Sequence, residues 1–600
     1  MKKLFFCSMV IGGMLMSSCT DSIYDAPHTE TVRKAYAQKF QEMLGGPVSR
    51  TEDFKMFDDF KLKVTLEEAA DVRVYARVNA EVVYKLVGDF KNLSASTHEL
   101  EVDAPESCKD FAVEVGNHVL CSETGEFDFT NVQSKSVASR TYLSSDNKPF
   151  TTTEETSEGS TTVTKIQKTF PIAEVAAFLT QVPENVGNYG NTNLAMDFKV
   201  MHKNDTKVRI YPVFWNAAYR HIFGIYTYNA DGTIAEHYDI YKSKTGNTRS
   251  NLTQQQLDEE DLIVKYQPER WKQACNDQQP YHAYDLTGDN APVEVRSHGF
   301  EVTFPDSFDG QTYGFYIKVF KKGNFDVSPD YIFYSDASLN TSDGGRSHAA
   351  YFQAAVGNST RTFLGFEDEL YNNSDKDLND FVFIIEPEPI IIDKTPISWL
   401  LAAEDLGSTD DFDFNDVVVS LTRIAGQNKL TIKAEAAGGT LPVWLKYNGQ
   451  ILKPEGVDGD GEFHSWFGVP NLKDPDALYP MINTGRSAYH EGMTYTLTID
   501  NNFTLNKFMD VERRADGSSL NNMGGFKIIV KHGEDKIETL ESPREGVAPQ
   551  MMCLPIDWKW PIERTPMIDA YPDFGEYGRG YLEDKTNAWV YKFIPGTVVE

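Results

Sequence analysis

Two stretches of the sequence carry the same pattern of acidic residues, and carboxylates at this density can bind hard cations. The stretches read FEDELYNNSDKDLNDFVF over residues 366–383 and AAEDLGSTDDFDFNDVVVSL over residues 402–421. In each, a Glu-Asp pair precedes a polar loop and the pattern Asp-x-Asp-x-Asn-Asp, which runs into an apolar, strand-like segment. Aligning the stretches gives two sets of candidate ligands: Glu367, Asp368, Asp375, Asp377, Asn379 and Asp380 in loop 1 (residues 367–380), and Glu404, Asp405, Asp411, Asp413, Asn415 and Asp416 in loop 2 (residues 404–416).

Calcium is the cofactor that these residues predict. It takes six to eight oxygen ligands from carboxylates, amides and backbone carbonyls. On an extended strand, Asp411 and Asn415 would lie about 13 Å apart, so the segment must curl for both to reach one ion. We reject an EF-hand, because its invariant glycine position is taken by Asp380 or Asp416 and no flanking helix is evident.

The alternative is that both loops are structural turns. Asp and Asn side chains stabilise turns, and the Glu-Asp pair can accept hydrogen bonds from backbone amides. Against this, close carboxylates repel one another unless a cation, a proton or a basic side chain compensates. Arg361 and Lys376 lie near loop 1 in sequence, and Arg423 alone lies near loop 2. We therefore expect loop 2 to be the better calcium site.

The first residues have the layout of a secretory signal peptide. Lys2 and Lys3 precede an apolar run over residues 4–16, which is too short to span a bilayer, and small residues then lead to Cys19. This resembles a bacterial lipobox and predicts lipidation at Cys19; the alternative is a signal peptide cleaved elsewhere. No later segment has about 18 uninterrupted apolar residues. We expect an outer-membrane lipoprotein, periplasmic or surface-exposed, whose lipid anchor holds it at the membrane.

The composition argues against one class of binding partner and suggests one disulfide. Hydrophobic residues make up 40% of the chain and aromatic residues 12%, which is enough for packed cores. The formal net charge of -32 argues against nucleic acid as a partner, because phosphate binding needs clustered basic residues. Cys108 and Cys121 are close in sequence and belong to an oxidising compartment on this interpretation, which makes a disulfide between them plausible.

Period-two alternation and turn residues predict an all-β protein with several antiparallel β-sandwich domains, jelly-roll or immunoglobulin-like, in tandem after a short N-terminal helix. The helix, over residues 29–44, is expected to space the lipid from the first domain, or alternatively to pack onto that domain. The predicted division is a signal peptide (1–18), a tether with the helix (19–55), a small β domain (56–135), an aromatic-rich β domain (136–295), a β domain with loop 1 (296–392) and a β domain with loop 2 (393–600).

An aromatic-rich hairpin in the middle of the chain allows two interpretations. Its side chains could stack on a carbohydrate, or they could form the core of a sandwich. The residues concerned are Tyr211, Phe214, Trp215, Tyr219, Phe223, Tyr226 and Tyr228.

At loop 2 the sequence resembles the LruC-domain family of bacterial lipoproteins. The segment AEDLGSTDDFDFNDVVV is similar to the family's recurring acidic pattern, and residues 548–574, with Trp558, Trp560 and Tyr571, are similar to its end segment. Loop 1 is similar to a related β domain of unknown function, although Leu378 stands where an aromatic residue is usual. The resemblance implies a β-rich, extracytoplasmic lipoprotein with a calcium loop; it implies no catalytic residue and no substrate.

These observations favour a non-enzymatic, lipid-anchored envelope protein that calcium rigidifies, with a binding, adhesion or structural role and an unknown protein or glycan ligand. The alternative is a glycan-binding surface lipoprotein that uses the aromatic hairpin. A glycoside-active enzyme with an aspartate pair is a third possibility, although no GxSxG, HExxH or Gly-rich phosphate motif is present.

Overall fold

The structure is a computed structural model that describes residues 26–77, 83–108, 110–132, 161–191, 193–204, 207–215, 217, 219–242, 262–265, 293–406, 411–457, 459–474, 477–509, 525–533, 536–582 and 587–599. Cys19 and the predicted signal peptide lie outside these residues. Strands predominate and most pair antiparallel, which confirms the all-β prediction. Within the described residues, no helix combines the length and apolar character needed to cross a membrane.

The N-terminal and central parts of the chain share one large sheet. It contains β2 (Ala70–Arg77), β3 (Val83–Leu93), β5 (Phe111–Val115), β6 (His118–Ser122), β9 (Phe198–Met201), β11 (Arg220–Tyr228), β12 (Ile234–Lys242), β15 (Thr312–Phe320), β16 (Tyr331–Tyr334) and β20 (Ile390–Pro396). A small sheet of β1 (Phe57–Thr65), β4 (Thr97–Pro105) and β7 (Glu126–Asp128) packs against its N-terminal strands.

A second large sheet covers the other end of the shared sheet and completes the central sandwich. Its strands are β8 (Thr162–Pro171), β10 (Val208–Trp215), β13 (Leu262–Lys265), β14 (Glu294–Thr303), β17 (Ala349–Val356), β18 (Ser359–Phe366) and β19 (Phe381–Glu386). Both large sheets take strands from either side of predicted boundary 295, and the shared sheet also crosses boundary 135. The sequence boundaries therefore do not coincide with sheet boundaries, because alternation predicts a strand's faces but not its neighbours.

The C-terminal part forms a separate pair of sheets. One contains β21 (Ser398–Ala403), β22 (Val417–Arg423), β23 (Lys429–Ala436), β26 (Thr494–Thr498) and β29 (Met551–Pro555). The other contains β24 (Val443–Tyr447), β25 (Gln450–Ile451), β27 (Lys527–His532) and β28 (Lys536–Thr539). The short helices are α2 (Ile172–Ala176), α3 (Leu505–Met509), α4 (Met567–Ala570) and α5 (Phe574–Gly578).

The N-terminal helix, α1 (Ala26–Leu44), is part of the C-terminal core. Tyr36 and Phe40 are 2% and 0% exposed, and their rings lie 5.2 and 5.5 Å from the ring of Phe412 in loop 2. The Tyr36 hydroxyl also donates a hydrogen bond to the Pro549 carbonyl at 2.7 Å. Both expectations for the helix, a free spacer or a partner of the first β domain, were therefore wrong. The four-residue apolar spacing predicted a buried face but could not say which domain covers it.

The predicted disulfide between Cys108 and Cys121 is absent, and both thiols are free. Cys108 belongs to the core under the small N-terminal sheet, whereas Cys121 packs with a different apolar cluster that includes Met201. Each sulfur has its own contact, with the Asp110 carbonyl at 3.3 Å and the Met201 sulfur at 3.6 Å respectively. Short sequence separation does not bring the two side chains together, because they belong to two different cores.

The aromatic hairpin forms core and not a stacking platform. Of its predicted members, Tyr211, Phe214, Trp215, Phe223, Tyr226 and Tyr228 are all buried. Tyr219 is half-buried, and its hydroxyl donates to a Glu369 carboxylate oxygen at 3.0 Å. The six buried rings are therefore not available to a sugar in this fold.

A buried ionic cluster crosses the shared sheet at Glu114. Its carboxylate pairs with Lys199 Nζ at 2.8 Å and accepts a hydrogen bond from the Tyr75 hydroxyl at 2.6 Å, while Arg73 lies 3.4 Å away. Burial by itself raises the pKa of Glu114, but the charges of Lys199 and Arg73 outweigh burial and lower that pKa to about 2.

We expect acid to remove the stabilisation that Glu114 supplies. Because its pKa is lower in the folded state, this stabilisation is complete above about pH 4.5 and is lost as the pH falls toward 2, an effect of about 3 kcal/mol. The difference in unfolding free energy between the wild type and Glu114→Gln should therefore shrink over that range. Denaturant titrations at several pH values measure it, and a constant difference would contradict the lowered pKa.

Candidate metal centre

Both acidic loops curl immediately before a strand. In loop 1, Lys376 and Leu378 have φ values of 68° and 62°; in loop 2, the equivalent Phe412 and Phe414 have 54° and 53°. Left-handed conformations at alternate residues turn the chain so that successive Asp and Asn side chains do not extend along a line. The curl that calcium ligation requires is thus present in both loops.

The same three-strand frame holds each loop. Loop 1 connects β18 to β19 and is flanked by β17, whereas loop 2 connects β21 to β22 and is flanked by β29. The first backbone N–H of each loop, on Glu367 or Glu404, donates to the residue that precedes the flanking strand, at 3.0 or 3.1 Å. The repeated sequence pattern therefore corresponds to a repeated local structure.

The central aspartate of each loop accepts backbone hydrogen bonds with both carboxylate oxygens. Asp377 Oδ1 accepts from the Asn379 N–H at 3.3 Å, and Asp413 Oδ1 accepts from the Asn415 N–H at 3.1 Å. The last aspartate closes the loop: Asp380 and Asp416 accept from the second residue of their loop, at 2.8 and 2.7 Å. The turn interpretation is therefore correct in part, because these carboxylates do stabilise the backbone.

A distant segment of the chain covers each loop. Residues 182–188 cover loop 1, and residues 561–567 cover loop 2. Three hydrogen bonds recur in the two pairs with the same three-residue spacing along the covering segment. They are Asn379 Nδ2 to the Val182 carbonyl (3.1 Å), the Asn185 N–H to Asp377 Oδ2 (2.9 Å) and the Asn188 N–H to the Lys376 carbonyl (2.9 Å) for loop 1, and Asn415 Nδ2 to the Pro561 carbonyl (3.1 Å), the Arg564 N–H to Asp413 Oδ2 (2.8 Å) and the Met567 N–H to the Phe412 carbonyl (2.9 Å) for loop 2.

Carboxylate oxygens converge in both loops. Glu367, Asp375 and Asp377 each place an oxygen within 4.8 Å of the others, and the equivalent Glu404, Asp411 and Asp413 do the same. Loop 1 has a second such group, formed by Glu367, Asp368 and Asp380. The structure therefore brings together all the predicted acidic ligands of loop 1, but in loop 2 only its triad, because Asp405 and Asp416 belong to no such group among the described residues. The amides of Asn379 and Asn415 instead bind the covering segments through Nδ2.

Burial and mutual repulsion make these carboxylates weak acids. Burial, with the neighbouring Asp380, raises the pKa of Glu367 to about 11, and burial with Asp411 raises the pKa of Asp413 to about 8. The pKa of Glu404 is well above its usual range, again through burial first and Asp413 next. Each loop thus lacks positive charge, which is what a cation would supply.

The basic residues near the loops in sequence compensate other groups. Arg361 pairs with Glu174 and Glu386 instead of the loop 1 carboxylates, and Lys376 Nζ lies 4.2 Å from the ring centre of Tyr371. Arg423 donates to the Phe503 carbonyl at 2.8 Å. Arg361 and Lys376 therefore do not neutralise the loop 1 carboxylates, and the ranking of the two loops as calcium sites stays a prediction.

His221 contacts loop 1 from β11. Its Nε2 lies 2.9 Å from Asp368 Oδ2, and the imidazole is fully buried. Burial lowers the pKa of His221 to about 3, so the ring is neutral, and the tautomer with its proton on Nε2 donates to the Asp368 carboxylate. A hydrogen bond of this kind orients a carboxylate that faces a metal.

Each covering segment also brings a glutamate that the sequence interpretation missed. Glu184 and Glu563 occupy equivalent positions, one residue before the backbone donor to the central aspartate. Burial and the charge of Asp411 raise the pKa of Glu563 to about 7. Burial raises the pKa of Asp377 to about 6, and the charge of Glu184 adds to that rise. The only sequence signal was a glutamate at the same place in VPEN and PIER, which is too short to align without the structure.

Gly438 supports loop 2 by close contact, which gives a testable prediction. A Cβ at Gly438 would lie 1.9 Å from Asn415 Oδ1, and the Gly438 N–H donates to the Asn415 carbonyl at 3.0 Å. We expect Gly438→Ala to displace Asn415 and to lower the unfolding free energy by about 2 kcal/mol or more. Gly485→Ala is the matched control, because nothing lies within 4 Å of its added Cβ. Equal denaturation midpoints for the two variants would contradict this packing.

Comparisons with known proteins add little to this geometry. No protein-family model matches the chain. No curated protein matches it. A solved structure described as "Putative lipoprotein from Bacteroides ovatus" is 15% identical and aligns over 42% of this chain and 90% of its own, with a TM-score of 0.19. At that TM-score the likeness carries no argument about this chain, and the LruC-domain resemblance stays a sequence-based interpretation.

Proposed function

We propose that the protein is a lipid-anchored envelope protein in which Ca²⁺ binds at loops 1 and 2. Each bound ion stabilises the contact between its loop and the covering segment from a distant part of the chain. The observation that carries this proposal is the repeated construction: two curled loops, two covering segments and two convergent sets of carboxylates. The anchor rests on the sequence before Cys19, and the role is structural or adhesive instead of enzymatic. The outer membrane is the proposed location.

The donor set fits a hard cation. Each triad supplies three carboxylates, and Glu184 or Glu563 lies close enough to influence the charge of its loop. Carboxylate oxygens are the ligands that calcium prefers, and the backbone bonds of Asp377 and Asp413 pre-orient those side chains. Asp375 is exposed, which leaves loop 1 open to solvent on that side.

Calcium at loop 2 would act on the membrane-proximal end of the protein. Phe412 and Phe414 flank Asp413, and both phenylalanines are buried against α1, which begins seven residues after Cys19. An ordered loop 2 therefore holds the segment that leads to the lipid. The proposed effect is a rigid connection between the anchor and the C-terminal sandwich, which suits a protein that must present a binding surface.

The test is calorimetric titration of Ca²⁺ into the chelator-treated full-length protein. We expect saturable binding that Asp411→Ala with Asp413→Ala reduces, and that the further substitutions Asp375→Ala and Asp377→Ala abolish. Asp326→Ala with Glu388→Ala is the charge-matched control, because both are exposed acids away from the loops. Absence of binding at millimolar Ca²⁺ in the wild type would refute the proposal.

A further inference from the structure

Glu367 belongs to two groups of carboxylates at once. One group joins it to Asp375 and Asp377, and the other joins it to Asp368 and Asp380; in each group the oxygens lie within 4.8 Å of one another. In loop 2 the corresponding residues Glu404, Asp405 and Asp416, all within the described part of the chain, do not form a second group of this kind. The two loops are therefore alike in backbone but unequal in their carboxylates.

Glu404 and Glu367 differ in one hydrogen bond. Glu404 Oε1 accepts the Phe414 N–H at 2.7 Å, which holds that side chain against its own loop. Glu367 is 1% exposed, and its Oε2 accepts no hydrogen bond from any described residue. A buried carboxylate oxygen without a donor is costly. Its position between two carboxylate groups fits a cation as that partner, in place of the proton that the raised pKa of Glu367 otherwise retains.

The charge of loop 1 exceeds what one calcium ion balances. Five carboxylates converge there, and in the described structure none of them forms an ion pair with a lysine or arginine. The nearby Lys321 pairs with Glu369 instead. When all five are ionised, one divalent ion leaves three negative charges in a largely buried site, whereas two divalent ions leave one.

Hydrogen bonds from the backbone and from His221 position the carboxylates of the second group. Asp380 Oδ2 accepts the Asp368 N–H, and Asp368 Oδ2 accepts from His221 Nε2, so each carboxylate is held by one oxygen. The other oxygen of each can coordinate. His221 is thus a positioning residue for Asp368, and Asp380 links the first and last turns of the loop.

We infer that loop 1 binds two divalent cations of the calcium class, with the Glu367 carboxylate between them, whereas loop 2 binds one. This rests on the proposed function and specifies its stoichiometry. A shared carboxylate is typical of paired metal sites, whose ions lie about 3.5–4 Å apart.

The experiment counts ions in a protein whose loop 2 is disabled. Glu404→Gln with Asp411→Asn removes two loop 2 ligands while the Gln oxygen can still accept the Phe414 N–H. We expect this background to bind two Ca²⁺ per chain by calorimetry, and one after the further change Asp380→Asn, which keeps an oxygen for the Asp368 N–H. One ion in the background would overturn the paired site while leaving the calcium proposal intact; no binding by the wild type would refute the calcium proposal itself.

A second measurement does not depend on counting the bound Ca²⁺ ions. Tb³⁺ and Eu³⁺ replace Ca²⁺ at oxygen sites, and energy passes from Tb³⁺ to Eu³⁺ only over short distances. We expect this transfer in the mixed-loaded loop 2 background, and its loss with retained Tb³⁺ luminescence after Asp380→Asn. Tb³⁺ luminescence without transfer in the background would overturn the paired site, and circular dichroism of each variant verifies its fold.

Discussion

Asp377→Ala is expected to lower the unfolding free energy by roughly 3–6 kcal/mol, because both carboxylate oxygens of this proposed calcium ligand accept backbone hydrogen bonds. The side chain is 2% exposed, and its two oxygens accept the N–H groups of Asn379 and Asn185. Hydrogen bonds to charged groups contribute roughly 1.5–3 kcal/mol each, and their loss leaves buried donors unpaired. We therefore expect Asp377→Ala to detach the covering segment and to remove a proposed ion ligand.

Asp375→Ala is the matched comparison in the same triad. Asp375 is exposed. The Asp375→Ala substitution should weaken the proposed stabilisation by calcium. It should leave the unfolding free energy in chelator unchanged or slightly higher, since one repulsive charge is gone. Urea denaturation of both variants in Ca²⁺ and in chelator measures the four values. Equal stability of the two variants in chelator would show that the Asp377 hydrogen bonds do not hold the covering segment.

Lys199→Met is expected to lower the unfolding free energy by roughly 3–5 kcal/mol, because it leaves Glu114 charged and buried in the shared sheet. The side chains of Lys199 and Glu114 are 4% and 2% exposed, and Lys199 Nζ also lies 4.3 Å from the ring centre of Tyr228. Arg73 is 3.4 Å from Glu114 and only partly replaces the lost charge.

Lys207→Met is the control, because its pair with Glu301 has a lysine side chain that is 57% exposed. Pairs of that kind contribute roughly 0–1 kcal/mol. Adding Glu114→Gln to Lys199→Met should recover part of the loss, since the buried charge is then removed. Chemical denaturation of the single and double variants measures the coupling energy, and additive losses would contradict a direct pair.

The acidic loops show which features of a site the local sequence can predict. The repeated Glu-Asp and Asp-x-Asp-x-Asn-Asp pattern predicted a curl before a strand, and positive φ values at Phe412 and Phe414 provide it. The candidate ligands that it named include the three carboxylates that converge in each loop, because residues on one tight loop stay close, but Asp405 and Asp416 lie outside the loop 2 group. It did not predict the inequality between Glu367 and Glu404, which depends on one hydrogen bond from Phe414.

The structure differed from the predictions, or was needed to decide between them, where they depended on contacts between residues far apart in sequence. The apolar face of α1 was evident, but loop 2 and the C-terminal core cover it. Cys108 and Cys121 are near in sequence, yet they belong to two different cores. The aromatic hairpin left core and platform open, and burial of Trp215 and Tyr226 between neighbouring strands decided for core.

The sequence by itself determined the strand-rich class, the two acidic loops and the residues within them, because alternation and turn chemistry act over a few residues. Only the tertiary structure decided which strands share a sheet and which segments cover the loops. Glu184 and Glu563 reach their loops from segments distant in the chain, on covering segments whose backbone bonds repeat. Such contacts depend on how the whole chain packs, and no local spacing encodes them.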